Sequence, residues 1–182
     1  TKKDKFTFLD LGTGSGCIML TILKQFPHAK GVGIDKSEKA LRVAIENSKK
    51  LKLYSRCKLM KKDWKSKNFF KNISLLNKKF FKQDKFDLII SNPPYVSKEE
   101  MEELMDEVKY EPKIALYGGI NGLSCYSFLF SKLKSIISDN GHIIFEINPK
   151  KVTDLKKIIF KNGFKNVSFV KDLSNKERLV VI

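Results

Sequence analysis

Phe6-Thr7-Phe8-Leu9-Asp10-Leu11-Gly12-Thr13-Gly14-Ser15-Gly16, residues 6–16, decides the fold: a β-like run from Phe6 to Leu11 enters a glycine-rich turn. Beyond it, Ile18, Met19, Ile22, Leu23 and Phe26 recur at helical spacing until Pro27 breaks the pattern. The unit reads as strand, turn, helix. Gly31 to Asp35 is a second strand, and Ser37 caps a helix whose apolar stripe is Ala40, Leu41, Ala44, Ile45 and Leu51. A third strand is expected at Cys57 to Met60. Strands alternating with helices predict right-handed βαβ units and a parallel sheet.

Phe86 to Ser91 is a near-continuous apolar run, as in a central strand covered on both faces, and Asn92-Pro93-Pro94-Tyr95 follows directly. Residues 65–85 read as a Lys-rich insertion, partly helical, with weak periodicity around Phe69, Phe70, Ile73, Leu76 and Phe80. Ser97 and Glu100 have capping-box spacing ahead of a short helix with Met101, Leu104, Met105 and Val108. A further helix carries Leu123, Tyr126, Leu129, Phe130, Leu133 and Ile137 and is expected to end at Asn140-Gly141, before a fifth strand from His142 to Ile147. A last helix from Pro149 to Lys161 precedes two strands, Val167 to Val170 and Arg178 to Ile182, close enough to pair antiparallel.

At 182 residues, with 42% hydrophobic and 31% charged content, the chain is expected to form one globular domain and a monomer. No apolar run approaches the roughly 20 residues that span a bilayer, and Thr1 to Lys5 does not resemble a secretory leader. Cys17, Cys57 and Cys125 lie too far apart for a zinc site, so buried reduced thiols in a cytoplasmic or organellar compartment are expected. His28 and His142 stand alone, and any chemistry must proceed without histidine or metal. The net charge of +16 comes almost wholly from Lys. It fits either a surface that lies near RNA or the ribosome, or the codon bias of an A- and T-rich genome.

The glycine-rich turn lies at the carboxyl end of the first strand, where open α/β sheets bind ligands. It brings the backbone of Gly12, Thr13, Gly14, Ser15 and Gly16 close to a nucleoside or amino-acid moiety, although a purely structural turn would look the same. Asp35, about twenty residues on, is placed to accept hydrogen bonds from two ribose hydroxyls, or simply to cap the next helix. Asp63 and Trp64 offer a carboxylate to an adenine amino group and a ring beside the base, with a core role for Trp64 as the other reading. In Asn92-Pro93-Pro94-Tyr95 the prolines remove backbone donors and force extended geometry. The Asn92 side-chain oxygen and the Pro93 carbonyl can then accept both hydrogens of one NH2 group, with Tyr95 packed on its planar face.

These stretches, LDLGTGSGCI, GIDKSEKAL, the Asp63-Trp64 pair, FDLIISNPPYVS and EPKIALYGGINGLSCY, resemble the HemK/PrmC family of protein-glutamine methyltransferases over most of the chain. Asn-Pro-Pro-Tyr alone is shared with adenine and guanine amino methyltransferases. The block from Glu111 to Leu123 is much more specific to the family. The resemblance implies a Rossmann-like α/β fold of the class I S-adenosylmethionine-dependent kind: a mostly parallel seven-stranded sheet with an antiparallel C-terminal strand and helices on both faces. It implies S-adenosylmethionine as cofactor, with Asp10, Gly12, Thr13, Gly14, Ser15, Gly16, Asp35, Lys36, Asp63, Trp64 and Asn92 around it. Asn92, Pro93 and Tyr95 would be catalytic, and together with Pro94 and Glu111 would hold a glutamine amide of a peptide chain release factor. The family usually carries an N-terminal helical domain that grips the release factor, so a chain starting just before the first strand is expected to be a catalytic fragment or a reduced form. After the fifth strand, Glu146-Ile147-Asn148-Pro149-Lys150 departs from the usual glycine-containing continuation.

A nucleic-acid amino methyltransferase is the competing reading, because residues 49–85 hold fourteen Lys or Arg against Asp63 and Asp84. A binding module without catalysis is the third.

Overall fold

The computed structural model describes residues 5–102 and 113–182. In chain order the elements are β1 (Thr7–Leu11), α1 (Cys17–Gln25), β2 (Lys30–Asp35), α2 (Glu38–Lys50), β3 (Cys57–Lys61), α3 (Phe69–Phe81), β4 (Phe86–Ser91), α4 (Lys98–Glu102), α5 (Lys113–Leu116), α6 (Ser124–Leu133), β5 (Ile137–Glu146), α7 (Val152–Lys161), β6 (Ser168–Lys171) and β7 (Glu177–Val181). The strands form one seven-stranded sheet in the order β3-β2-β1-β4-β5-β7-β6. Two compact units divide the chain: Thr1–Ser91 with Ser135–Ile143, and Asn92–Lys134 with Ile144–Ile182.

In the first unit β1 pairs parallel with β2 and β4, and β2 with β3. Every residue of β1 is buried, as expected of a strand with neighbours on both edges and helices above and below. Successive side chains point to opposite faces. Phe8 lies with Met19 of α1 over Gly31, where a Cβ would come within 2.5 Å of Phe8 Cζ. Thr7, on the other face, takes a long hydrogen bond of 3.5 Å from Asn77 of α3. Helices therefore cover both faces of this part of the sheet. The guanidinium of Arg56 finishes α1 by donating to the carbonyls of Leu23, Phe26 and Ala29 at 2.6, 3.0 and 3.3 Å, which satisfies acceptors that a helix end leaves open.

The Lys-rich insertion, residues 65–85, is partly helical as expected: α3 takes up Phe69–Phe81. It buries Phe69, Ile73 and Asn77, spaced four apart, whereas Phe80 is 42% exposed. A polar residue completes the stripe because Asn77 Nδ2 donates to the Lys85 carbonyl at 3.0 Å and so ties the helix to the approach to β4. Cys57 and Cys125 are buried as expected, but Cys17 is exposed. It opens α1 on the side away from Met19, Leu20 and Leu23, which face inward.

The second unit joins the end of β5 to β7 in antiparallel register, Ile144↔Val181, Phe145↔Val180 and Glu146↔Leu179, with β6 antiparallel on the far edge of β7. Its core includes Leu129, Phe130, Leu133, Phe145, Leu155 and Ile159. The Phe130 ring lies 5.4 Å from that of Phe145 and 5.8 Å from that of Phe164. The helix expected to run to Asn140-Gly141 stops at Leu133, and the strand starts at Ile137, ahead of the expected His142. Ladder pairing overrides the helical spacing there: the Ile136 carbonyl accepts from the Phe86 amide at 2.8 Å, which fixes extended geometry on β-branched residues that favour it. Among the described residues, no helix is long and apolar enough to cross a membrane.

Candidate active site

The ends of β1, β2 and β3 carry the first cluster. Parallel register places Leu11 beside Ile34 and Asp35 beside Lys61, so the segments that follow these strands emerge at one edge. The Gly12 and Thr13 amides both donate to the Ile34 carbonyl at 2.9 Å. Gly14 donates to Asp35 Oδ2 at 2.9 Å, and Ser37 to Asp35 Oδ1 at 2.7 Å. Asp35 thus joins the glycine-rich turn to the start of α2, while Ser37 itself caps that helix by accepting from Ala40 at 3.2 Å. Asn47 of α2 donates to the Ser15 carbonyl at 3.1 Å and holds the turn from the other side.

Asp10 is 1% exposed and accepts from Thr13 Oγ1 at 2.7 Å. Burial pushes its carboxyl up to about 7, against the opposing hydrogen bonds from Thr13 and the Met19 amide, with the nearby Asp35 charge adding to the rise. Its bonds within the protein serve the turn, fixing Thr13 from beneath. Gly12 adopts a left-handed φ of +78°, and a Cβ there would lie 3.4 Å from the Trp64 ring. The half-buried indole therefore rests over bare backbone. Lys36 pairs with Asp63 at 3.1 Å. Burial opposes the Asp63 charge, but the Lys65 amide and the Lys36 ammonium outweigh it and hold the carboxyl below its ordinary value. The structure thus brings Asp10, Gly12, Thr13, Gly14, Ser15, Gly16, Asp35, Lys36, Asp63 and Trp64 into one cluster.

The second cluster begins at the next residue of the chain after β4. Asn92 is exposed, Pro93 is buried, and Pro94 and Tyr95 are half-buried. Past the prolines the backbone pairs with a strap at residues 116–122: Val96 donates to the Leu116 carbonyl at 2.9 Å, Gly118 to Val96 at 2.9 Å, and Lys98 to Ile120 at 3.2 Å. A Cβ on Gly118 would lie 2.5 Å from the Pro94 carbonyl oxygen and 2.8 Å from Tyr95 Cα, and Gly122 is packed against the Tyr95 carbonyl. Only glycine allows two main chains to approach this closely.

The expected capping box is present: Ser97 donates to Glu100 Oε2 at 2.9 Å and Glu100 donates to Ser97 Oγ at 3.2 Å. Burial works against the Glu100 charge, yet Ser97 and Asn148 hold its carboxyl low. Tyr95 Oη donates to Glu146 Oε1 at 3.2 Å. Glu111, expected to touch substrate, lies outside the described residues, as do Leu104, Met105 and Val108. The sequence reading gave no site role to Gly118, Gly122, Glu146 or Tyr126, placing Tyr126 only in the apolar stripe of a helix. The dense glycines of the strap signalled the first two, whereas a glutamate at a strand end carries no signal by itself.

The first cluster fits a nucleoside-bearing cofactor. It has an open backbone turn beside an indole, one carboxylate at the end of β2 and another after β3, as ribose hydroxyls and an adenine amino group require. A family profile described as a methyltransferase domain matches residues 2–113, more than half of the chain. The chain belongs to the methyltransferase domain family.

The release factor glutamine methyltransferase of Caulobacter vibrioides is similar to this methyltransferase domain, with 37% identity over 97% of the chain and 57% of the relative. The bifunctional methyltransferase of Rickettsia felis is 33% identical over 100% of the chain and 32% of the relative. The domain therefore spans between 32% and 57% of the length of these curated relatives. A methyltransferase crystal structure from Pyrococcus furiosus superposes with a TM-score of 0.65 at 16% identity, over 97% of this chain and 73% of that one. At that identity the likeness concerns the fold, and it agrees with the Rossmann-like sheet described above.

Proposed function

We propose that this methyltransferase domain transfers the methyl group of S-adenosylmethionine to the side-chain amide nitrogen of glutamine, in the Gly-Gly-Gln motif of a peptide chain release factor. The observation that carries the reading is the Asn92-Pro93-Pro94-Tyr95 turn, locked from behind by Gly118 and Gly122. The name of the Caulobacter vibrioides relative supports the choice of acceptor.

When bound, S-adenosylmethionine would supply an electrophilic sulfonium methyl group to the acceptor nitrogen, with S-adenosylhomocysteine as the leaving group. Asp35 would hold the ribose hydroxyls, the turn from Gly12 to Gly16 the amino-acid end, and Trp64 and Asp63 would flank the base. An amide nitrogen has a delocalised, weak lone pair. The Asn92 side-chain oxygen and the Pro93 carbonyl accept its two N–H groups, polarise it and aim it, while Tyr95 supports its planar face. One of those protons departs to solvent once the nitrogen has been alkylated. No strong base is needed, because the gain is positional, with a ceiling of about 7–11 kcal/mol.

The fourteen Lys or Arg of residues 49–85 include three seen in ion pairs, Lys61 with Glu38, Lys78 with Asp84 and Lys85 with Asp139. With Arg56 taken up by the end of α1, we assign the remaining Lys charge to proximity to RNA or the ribosome, where release factors act.

The test offers tritiated S-adenosylmethionine with a Gly-Gly-Gln-bearing release factor and, in parallel, bulk RNA. Label is expected in the release factor alone, and Asn92→Ala is expected to remove it. Label in RNA that is indifferent to release factor would transfer the assignment to nucleic-acid amino groups.

A further inference from the structure

We propose that Glu146 is a positioning residue for the acceptor turn, acting through the hydroxyl of Tyr95. The inference rests on the glutamine-amide reading, in which the Tyr95 ring is the platform for the acceptor.

Tyr95 is fixed at one end by its backbone, with Gly118 against its Cα and Gly122 against its carbonyl. A ring held only at Cα still turns about two side-chain torsions. A point of attachment at the far end of the ring is Glu146, whose Oε1 accepts from Tyr95 Oη at 3.2 Å.

Glu146 is itself held from several directions. Its carbonyl accepts from Tyr126 Oη at 2.7 Å. Tyr126 is 1% exposed, and burial raises its pKa, so it remains a donor. Glu146 pairs in register with Leu179, and the next amide, Ile147, donates to the Arg178 carbonyl at 2.9 Å. The rigid end of β5 thereby fixes where the Tyr95 hydroxyl sits.

Core packing does not require a carboxylate at this position. Glu146 borders an open cavity of about 430 Å3 together with Asp172, Arg178 and Leu179. Lys171 and Arg178 border the same cavity, and Arg178, which feels the Glu146 charge, makes its ion pair with Asp172 at 2.9 Å. A hydrophobic side chain or a small one would fill the strand end equally well; an acceptor facing a tyrosine hydroxyl is what the acceptor turn uses.

The test compares Glu146→Ala, Glu146→Gln, Tyr95→Phe and the Glu146→Ala/Tyr95→Phe double variant with the unaltered chain. Each is assayed for methyl transfer to a Gly-Gly-Gln peptide, for S-adenosylmethionine binding by calorimetry, and by NMR of protein labelled with 13C at tyrosine Cζ. Glu146→Ala is expected to lower kcat about tenfold with little change in KM, the loss that follows from one hydrogen bond to a charged acceptor. Tyr95→Phe matches it, and the double variant falls no further. Glu146→Gln recovers most of the rate, because a carboxamide oxygen also accepts. Cofactor affinity stays within about twofold throughout, and the Tyr95 resonance shifts in Glu146→Ala but hardly in Glu146→Gln.

Losses that multiply in the double variant, a Glu146→Ala enzyme at full rate, or an unmoved Tyr95 resonance each overturn the proposal. If the unaltered chain labels no peptide, the glutamine-amide reading fails while the NMR comparison still decides whether Glu146 holds Tyr95.

Discussion

Gly118 stands so close to Pro94 that a Cβ on it would lie 2.5 Å from the proline's carbonyl oxygen. An isolated parallel bridge between Val96 and Tyr117 joins the strap at residues 116–122 to the backbone just after the turn, and the side-chain-free Gly118 lies where the two chains touch. Gly118→Ala must push them apart, an overpacking cost of about 1–3 kcal/mol. Methyl transfer is expected to fall at least tenfold, a drop equivalent to about 1.4 kcal/mol, with cofactor affinity by calorimetry unchanged. Full activity in this variant would show that the strap has no part in holding the turn.

Asp35 takes both the Gly14 and Ser37 amides and is assigned the ribose. Asp35→Ala is expected to weaken S-adenosylmethionine binding by a factor of ten to a hundred, in keeping with about 1.5–3 kcal/mol for a bond to a charged group. Asp35→Asn, which keeps one acceptor oxygen, falls between. Trp64 is the sole tryptophan, so its fluorescence reports the titration directly. Fluorescence that does not respond to saturating S-adenosylhomocysteine would remove Trp64 from the cofactor site.

Asp10 makes stability depend on pH with a definite sign. Burial raises its folded value from 3.8 to about 7. The stability it contributes is therefore complete below its unfolded value and is lost as pH rises through its folded one. Asp10→Asn keeps an oxygen for Thr13 and removes the ionisation. Its melting temperature is expected to exceed that of the unaltered chain at about pH 8 and to converge with it near pH 4. Calorimetric melting curves that run parallel over that range would refute the assignment.

Arg56 is the terminal clamp of α1, with three carbonyls on one guanidinium. Arg56→Ala is expected to cost about 2 kcal/mol in urea denaturation. Arg56→Lys should recover little, since an ammonium is a point donor and the site needs a fork. Equal stability of the Lys variant would mean that charge alone matters there.

Strand β4 was legible to the residue, Phe86 to Ser91, because a central strand reads as a near-continuous apolar run, ended here by Asn92 and the two prolines. The turn before α1 was equally plain, since glycines at close spacing have few other uses. Less could be read where tertiary contacts overrule local pattern. Asn77 completes the buried stripe of α3 through a bond to Lys85, and no periodicity of apolar residues can announce an asparagine. The start of β5 at Ile137 depends on pairing across the sheet, to which helical spacing is blind. In the candidate site, residues marked by unusual composition stood out, whereas Glu146 and Tyr126 derive their roles from distant partners, Tyr95 and the Glu146 carbonyl.

The division of the chain at Ser91 and Asn92 also bears on how such a domain diversifies. In the assignment proposed above, Asn92 is the one residue given both to the methyl donor and to the acceptor. On that assignment, substitutions after Asn92 that retarget the domain to a new acceptor can accumulate without eroding its use of the methyl donor.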